Sequence, residues 1–126
     1  MRFDGDSLDI IDANNNIVAS YGALSGPYGN GPLPEGVWTL SNIIKLENNL
    51  YVKDGVGFWG LLYPQFRTER SGIGIHPDGG VRGTRGCIGL TGNASELNDF
   101  YNRIHDYIYR SSSCNAHNFI NVYVDY

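Results

Sequence analysis

The chain has 126 residues and a formal net charge of −4, which bounds it to a single domain over 1–126 and leaves no cationic footprint for nucleic acid or anionic lipid. Its 17 glycines and 9 tyrosines favour turns and aromatic-faced strands over a helical bundle. No apolar run is long enough to span a bilayer, and the start, MRFDGDSLDII, is acidic where an export signal needs a basic region and an apolar run.

In chain order, SLDIIDANNNIVASYGA reads as an opening hairpin, because asparagine tolerates the left-handed conformations that a tight turn at Asn14, Asn15 and Asn16 demands. LSGPYGNGPLPE, crowded with glycine and proline, cannot continue a ladder and reads as a loop that delivers a strand at Gly36–Leu40. Further strands are expected at Leu50–Lys53, Phe58–Tyr63, Gly72–His76 and Cys87–Leu90, each set off by turn residues. Leu97, Phe100, Tyr101, Ile104 and Ile108 then recur at helical spacing, so a helix is expected from about Ala94 to about Tyr109. Asn93 caps it, and Glu96 completes a capping box. After Ser111, Ser112 and Ser113, NFINVYVDY alternates like a closing strand. The series predicts a mainly β domain, a sandwich or barrel-like pair of sheets with one α-helix near the C-terminus.

Chemistry concentrates in GIHPDGGVRGTRGCIGL, residues 74–90. A thiol is a poor nucleophile at neutral pH until an imidazole or inward-pointing amides lower its pKa, and His76 is the candidate to activate Cys87. Gly86 has no side chain to obstruct the approach of backbone amides to an oxyanion, so Gly86 and Cys87 are the candidate donors. Arg85 and Arg82 are candidates to hold a substrate carboxylate. Asp78 is expected to shape the Pro77–Gly80 turn, with a backbone carbonyl orienting the imidazole instead. Trp38, Trp59 and Tyr63 read as core or rim aromatics, one of which, Trp59, is the candidate to line a substrate groove. The alternatives are a buried core thiol at Cys87, or a Cys87–Cys114 disulfide, which would remove the nucleophile. His105 and His117 read as solvated or rim residues. The spacing of histidines and cysteines offers no metal site, and there is no phosphate loop.

GIHP followed by GTRGCIGL resembles the signature of the L,D-transpeptidase (YkuD-like) catalytic domain, in which a histidine leads to a Ser/Thr-x-Gly-Cys element. Thr84, Arg85, Gly86 and Cys87 fill that element in order. Upstream, NIVASYGALSG is similar to the family's strand into a Ser/Thr-Gly turn, and GPLPEGVWTL to its P-x-G-x-Y/W strand start. The resemblance implies a β-sandwich of mixed sheets with one helix, and a thiolate that attacks the carbonyl after meso-diaminopimelate in peptidoglycan stem peptides. It implies Cys87 as nucleophile, His76 as base and then acid, and the Gly86 and Cys87 amides as oxyanion hole. Transfer to an amine gives transpeptidation; transfer to water gives carboxypeptidase trimming. No metal or organic cofactor is implied.

Family members often carry histidine before the Gly-Cys pair and arginine two residues after the cysteine, where this chain has Arg85 and Gly89. The substrate side is therefore expected at Arg85, Arg82, Thr84 and Trp59. The short His76 to Cys87 spacing implies a more open site than in members with a lid-like insertion. Without a visible export signal, the chain is expected to be made in the cytoplasm and to act in the periplasm or cell wall. It is similar in form to small domains of antibacterial toxins, such as type VI secretion effectors, and of phage modules; a toxin would need an immunity protein. The alternative function is a non-catalytic β-domain that binds glycan or protein, such as a phage structural module.

Overall fold

The computed structural model describes residues 1–47, 51–110 and 118–126. Its strands, in chain order, are β1 (Arg2–Phe3), β2 (Ser7–Ile11), β3 (Ile17–Leu24), β4 (Gly36–Leu40), β5 (Ile44–Lys45), β6 (Val52–Lys53), β7 (Val56–Pro64), β8 (Gly74–Pro77) and β9 (Ile88–Leu90). The helix α1 (Ala94–Tyr109) and the last strand β10 (Ile120–Val124) follow. The mainly β reading with one late helix holds. Leu50, at the edge of the run expected over Leu50–Lys53, lies outside the described residues.

The strands are ordered β4-β10-β1-β2-β3-β9-β8-β7, and a β4–β7 pairing closes the ring into a barrel. Two strands turn the corners between its layers. β3 pairs β2 along Ile17–Gly22 and then β9 through Ala23 and Leu24. β7 pairs β8 through Gly60 and Leu61 and β4 through Leu62, Tyr63 and Pro64. The sheets are mixed, as expected: β1–β10 and β8–β9 are parallel, and the other pairs antiparallel. A sandwich becomes a barrel here because each corner strand changes partner along its length.

Local chemistry explains the elements. Asn15 takes φ 65° in the β2–β3 turn, and Asp12 Oδ1 accepts the Asn14 and Asn16 N–H groups, both at 2.9 Å. Asn93 and Glu96 form the reciprocal capping box at the start of α1. Leu97, Phe100, Ile104 and Ile108 form its buried stripe. Phe100 meets the rings of Tyr21 on β3 and Phe58 on β7, while Tyr21 Oη donates to Asp99 at 2.6 Å. The helix is thus fixed to both corner strands.

Candidate active site

The parallel register Ile75↔Ile88, His76↔Gly89 and Pro77↔Leu90 brings the ends of β8 and β9 together, with Gly74 across from Cys87. Ile75 and Ile88 are fully buried in the core. Strand alternation therefore turns Gly74, His76 and Cys87 to the opposite face, where His76 and Cys87 are diagonal neighbours. The Gly74 N–H donates to Cys87 Sγ at 3.4 Å. Cys87 is a free thiol, and its alternative partner in a disulfide, Cys114, lies outside the described residues.

His76 is only 6% exposed, and its Nδ1 lies 2.7 Å from the Pro77 carbonyl. A carbonyl oxygen can only accept, so Nδ1 carries the proton and Nε2 is left as the basic nitrogen. Asp78, as expected, closes the turn: its carboxylate accepts the Gly83 N–H at 3.2 and 3.3 Å. Burial pulls the His76 pKa below its ordinary value, against the Pro77 hydrogen bond and the charge of Asp78. Burial also pushes the Cys87 thiol up, against the Gly74 N–H and the Arg70 guanidinium. The expected lowering of the thiol pKa is therefore not found in the resting site, because desolvation outweighs the Gly74 N–H and the Arg70 charge. The pair rests as neutral imidazole and neutral thiol.

Two aromatic rings cover the imidazole. The β7–β8 register sets Trp59 across from His76, and their rings stack at 5.8 Å with 16° between planes. Tyr51 lies 4.1 Å from the imidazole and 5.1 Å from the Trp59 ring. Gly74 makes room for this: a Cβ there would lie 2.8 Å from the Trp59 ring and 2.5 Å from the Gly60 carbonyl. One glycine thus admits the tryptophan and points its amide at the sulfur.

Thr84, expected on the substrate side, is instead buried, 6% exposed, with a fully engaged hydroxyl. Its Oγ1 accepts the Gly26 N–H at 3.0 Å and the Gly86 N–H at 3.2 Å, and donates to the Cys87 carbonyl at 2.6 Å. Thr84 positions the cysteine and has no free group to offer a substrate. The Gly86 amide, expected as an oxyanion donor, is likewise engaged by the Thr84 hydroxyl at 3.2 Å. Ser25 Oγ donates to the Gly86 carbonyl at 3.2 Å, so the Ser25-Gly26 turn braces the cysteine segment from below.

Arg82 and Arg85 are exposed on the rim. The guanidinium that reaches the centre is one the sequence reading missed. Arg70 donates from Nη1 to the Asn30 carbonyl at 3.1 Å and from Nη2 to the Gly31 carbonyl at 3.0 Å, with a longer contact of 3.5 Å to the Arg85 carbonyl. Gly86, at φ +130°, leaves the space it occupies; a Cβ there would collide with Arg70 Nη2. Nothing in RTERSG marks this arginine out from a solvated charge run, since its partners are carbonyls from distant loops.

His105 sits half-buried between the rings of Tyr101 and Tyr109, and His117 lies outside the described residues. A groove lined by Ile10, Arg103, Tyr107, Arg110, Phe119 and Tyr123 among others contains neither His76 nor Cys87. Among the described residues no helix is long and apolar enough to cross a membrane.

Residues 6–106 match the family model of the YkuD L,D-transpeptidase catalytic domain, a span that includes both His76 and Cys87. No curated protein and no solved structure matches the chain.

Proposed function

The chain belongs to the L,D-transpeptidase (YkuD) catalytic-domain family, and we propose that it is a cysteine-dependent L,D-transpeptidase or L,D-carboxypeptidase of peptidoglycan stem peptides. The observation that carries this reading is the His76 Nδ1–Pro77 carbonyl contact of 2.7 Å, which leaves a basic Nε2 on the face that bears the Cys87 thiol. That is the tautomer a general base requires.

In this reading the carbonyl of the diaminopimelate residue enters beside the sulfur. Nε2 takes the Sγ proton as Sγ bonds to the carbonyl carbon, giving a tetrahedral oxyanion and an imidazolium. The Cys87 main-chain N–H is the first candidate donor to that oxyanion, since the Gly86 amide is held by Thr84. The intermediate collapses with cleavage of the C–N bond; the imidazolium gives its proton to the departing amine of the terminal D-amino acid, leaving a thioester on Cys87. An acceptor amine or a water, deprotonated in turn by Nε2, attacks that thioester and regenerates the thiol. The former is exchange or cross-linking; the latter is trimming. The Arg70 guanidinium adds positive charge on the side from which negative charge builds at sulfur and oxygen.

Stem peptides lie outside the cytoplasmic membrane, so the periplasm or cell wall is the proposed place of action. Trimming or exchange there would suit an antibacterial effector, whose producer would need an immunity protein.

The test is digestion of purified tetrapeptide muropeptides with and without added D-methionine, read by mass spectrometry. The wild type is expected to yield tripeptide, or the D-methionine product, while Cys87→Ser and His76→Ala each lower the rate about 10³-fold or more. Unaltered muropeptides after prolonged incubation with the wild type, or full turnover by Cys87→Ser, would overturn the reading and favour the binding-module alternative.

A further inference from the structure

The Cys87–His76 chemistry leaves unexplained why the base is so closely enclosed by aromatic rings. Tyr51 and Trp59 reach His76 from two directions: Tyr51 precedes β6, which packs against β8, and Trp59 lies on β7. Their rings also meet each other at 5.1 Å and 29°, so the three rings form one closed cluster in which each touches the other two. Among the described residues the imidazole has one hydrogen bond to set its orientation, from Nδ1 to the next residue in the chain. That bond leaves rotation about the Nδ1–O line free, and the rings remove it.

Resting on the reading of Cys87 and His76 given above, we infer that Tyr51 and Trp59 are positioning residues that clamp the imidazole, aim Nε2 at the Cys87 sulfur and hold the imidazolium that forms as the thiol is deprotonated. Both ring centroids lie within the roughly 6 Å over which a cation is attracted to an aromatic face. A buried imidazole resists protonation, which is why its pKa is lowered at rest. Two ring faces offset part of that resistance without admitting water, which would compete for the thioester. The charged and titratable groups around the imidazole are few. Asp78 follows it on its own loop, Cys87 faces it from the start of β9, and Lys53 on β6 is tied to the Thr91 and Gly92 carbonyls at 2.6 and 2.9 Å. None of them replaces the rings.

The experiment is an NMR pH titration of the His76 ring, assigned by its loss in His76→Gln, alongside muropeptide kinetics, in Tyr51→Leu and Trp59→Leu. Leucine keeps an apolar side chain beside the imidazole and removes the ring face. Each variant is expected to lower the His76 titration midpoint further and to cut kcat by about threefold to tenfold, with KM nearly unchanged. Tyr51→Phe and Trp59→Phe, which keep a ring and control for folding, are expected to hold the midpoint and most of kcat. An unmoved midpoint and kcat in both leucine variants would overturn the clamp. A raised KM at constant kcat would also overturn it, by making the rings walls of the substrate groove. The titration needs no turnover, so it judges the clamp even where Cys87→Ser shows the covalent chemistry to be wrong.

Discussion

Beneath α1 the barrel is sealed by apolar packing: Phe100 against Phe58 and the ring of Tyr21, flanked by Leu97, Ile104 and Ile108. Around Cys87 the main chain and the sulfur are held by directed contacts from Thr84, Ser25, Gly74 and Arg70. Apolar packing tolerates small shifts, because its energy depends on area and volume. A network of hydrogen bonds to amides and carbonyls fixes atoms to within tenths of an ångström, which the proposed attack of the sulfur on a carbonyl carbon requires. On the proposed function, stability and reactivity rest on separate parts of one small fold.

The sharpest way to break that comparison is Phe100→Ala. Deleting a fully buried ring is expected to cost about 3–5 kcal/mol of unfolding free energy. Turnover per folded molecule should nevertheless stay within about twofold, because the ring partners of Phe100, Tyr21 and Phe58, lie on β3 and β7 rather than at the β8–β9 mouth. Denaturant unfolding and muropeptide kinetics below the transition measure the two effects separately. A loss of kcat in the folded enzyme of about tenfold or more would mean that the two regions are coupled.

Thr84→Val tests the other region. The variant keeps the shape and leaves the Gly26 and Gly86 amides without their acceptor, at an expected cost of about 2 kcal/mol or more. Unlike Phe100→Ala, it should also reduce kcat/KM, by about 10²-fold, because the Cys87 carbonyl loses the 2.6 Å contact that sets its segment. Thr84→Ser is expected to restore most of both. Equal stability loss with unchanged kcat/KM would make Thr84 an ordinary core hydroxyl.

How far each region can be read from residues alone follows from the same difference. The helix was legible to its bounds, Ala94–Tyr109, because its stripe and its Asn93–Glu96 cap are local patterns. Strand β4 and the Asn15 turn were legible for the same reason. His76 and Cys87 could be named from residue chemistry and from the order of the GIHP and GTRGC segments. Their surroundings could not. Arg70 binds carbonyls of residues 30, 31 and 85, and Tyr51 meets His76 only because β6 and β8 both lie beside β7, facts of topology that no short window holds. Thr84 looked like a substrate contact because its burial depends on the Ser25-Gly26 turn, nearly sixty residues earlier. The direction of the Cys87 shift was missed because the nearby imidazole and amides argue for a lowered pKa, whereas burial in the fold desolvates the sulfur. The two-residue strands β1 and β5 are too short to carry a period.

The smallest effect, and the one that resolves the two regions in a single titration, is on pH. His76 is neutral and buried, with a folded pKa below its ordinary 6.5. As pH falls through 6.5 the unfolded chain takes up a proton that the folded chain refuses, so the stability present above 6.5 is lost toward the folded pKa, by at most about 1.4 kcal/mol per pH unit. On the helix side Asp99, which accepts from Tyr21 and Arg103, has a pKa below its ordinary 3.8, so its contribution persists until well into acid. Unfolding measured at pH 7.5 and pH 5.5 should therefore show a stability loss that shrinks in His76→Gln and is unchanged in Asp99→Asn. Activity should follow the same group: kcat/KM is expected to hold as pH falls to 6.5 and to drop only below it, as Nε2 becomes protonated, while the alkaline limb lies above 9.0, the ordinary thiol value that burial raises. An acid limb at or above 6.5, or an undiminished acid loss of stability in His76→Gln, would remove the buried neutral imidazole from the account and with it the contrast between the two regions.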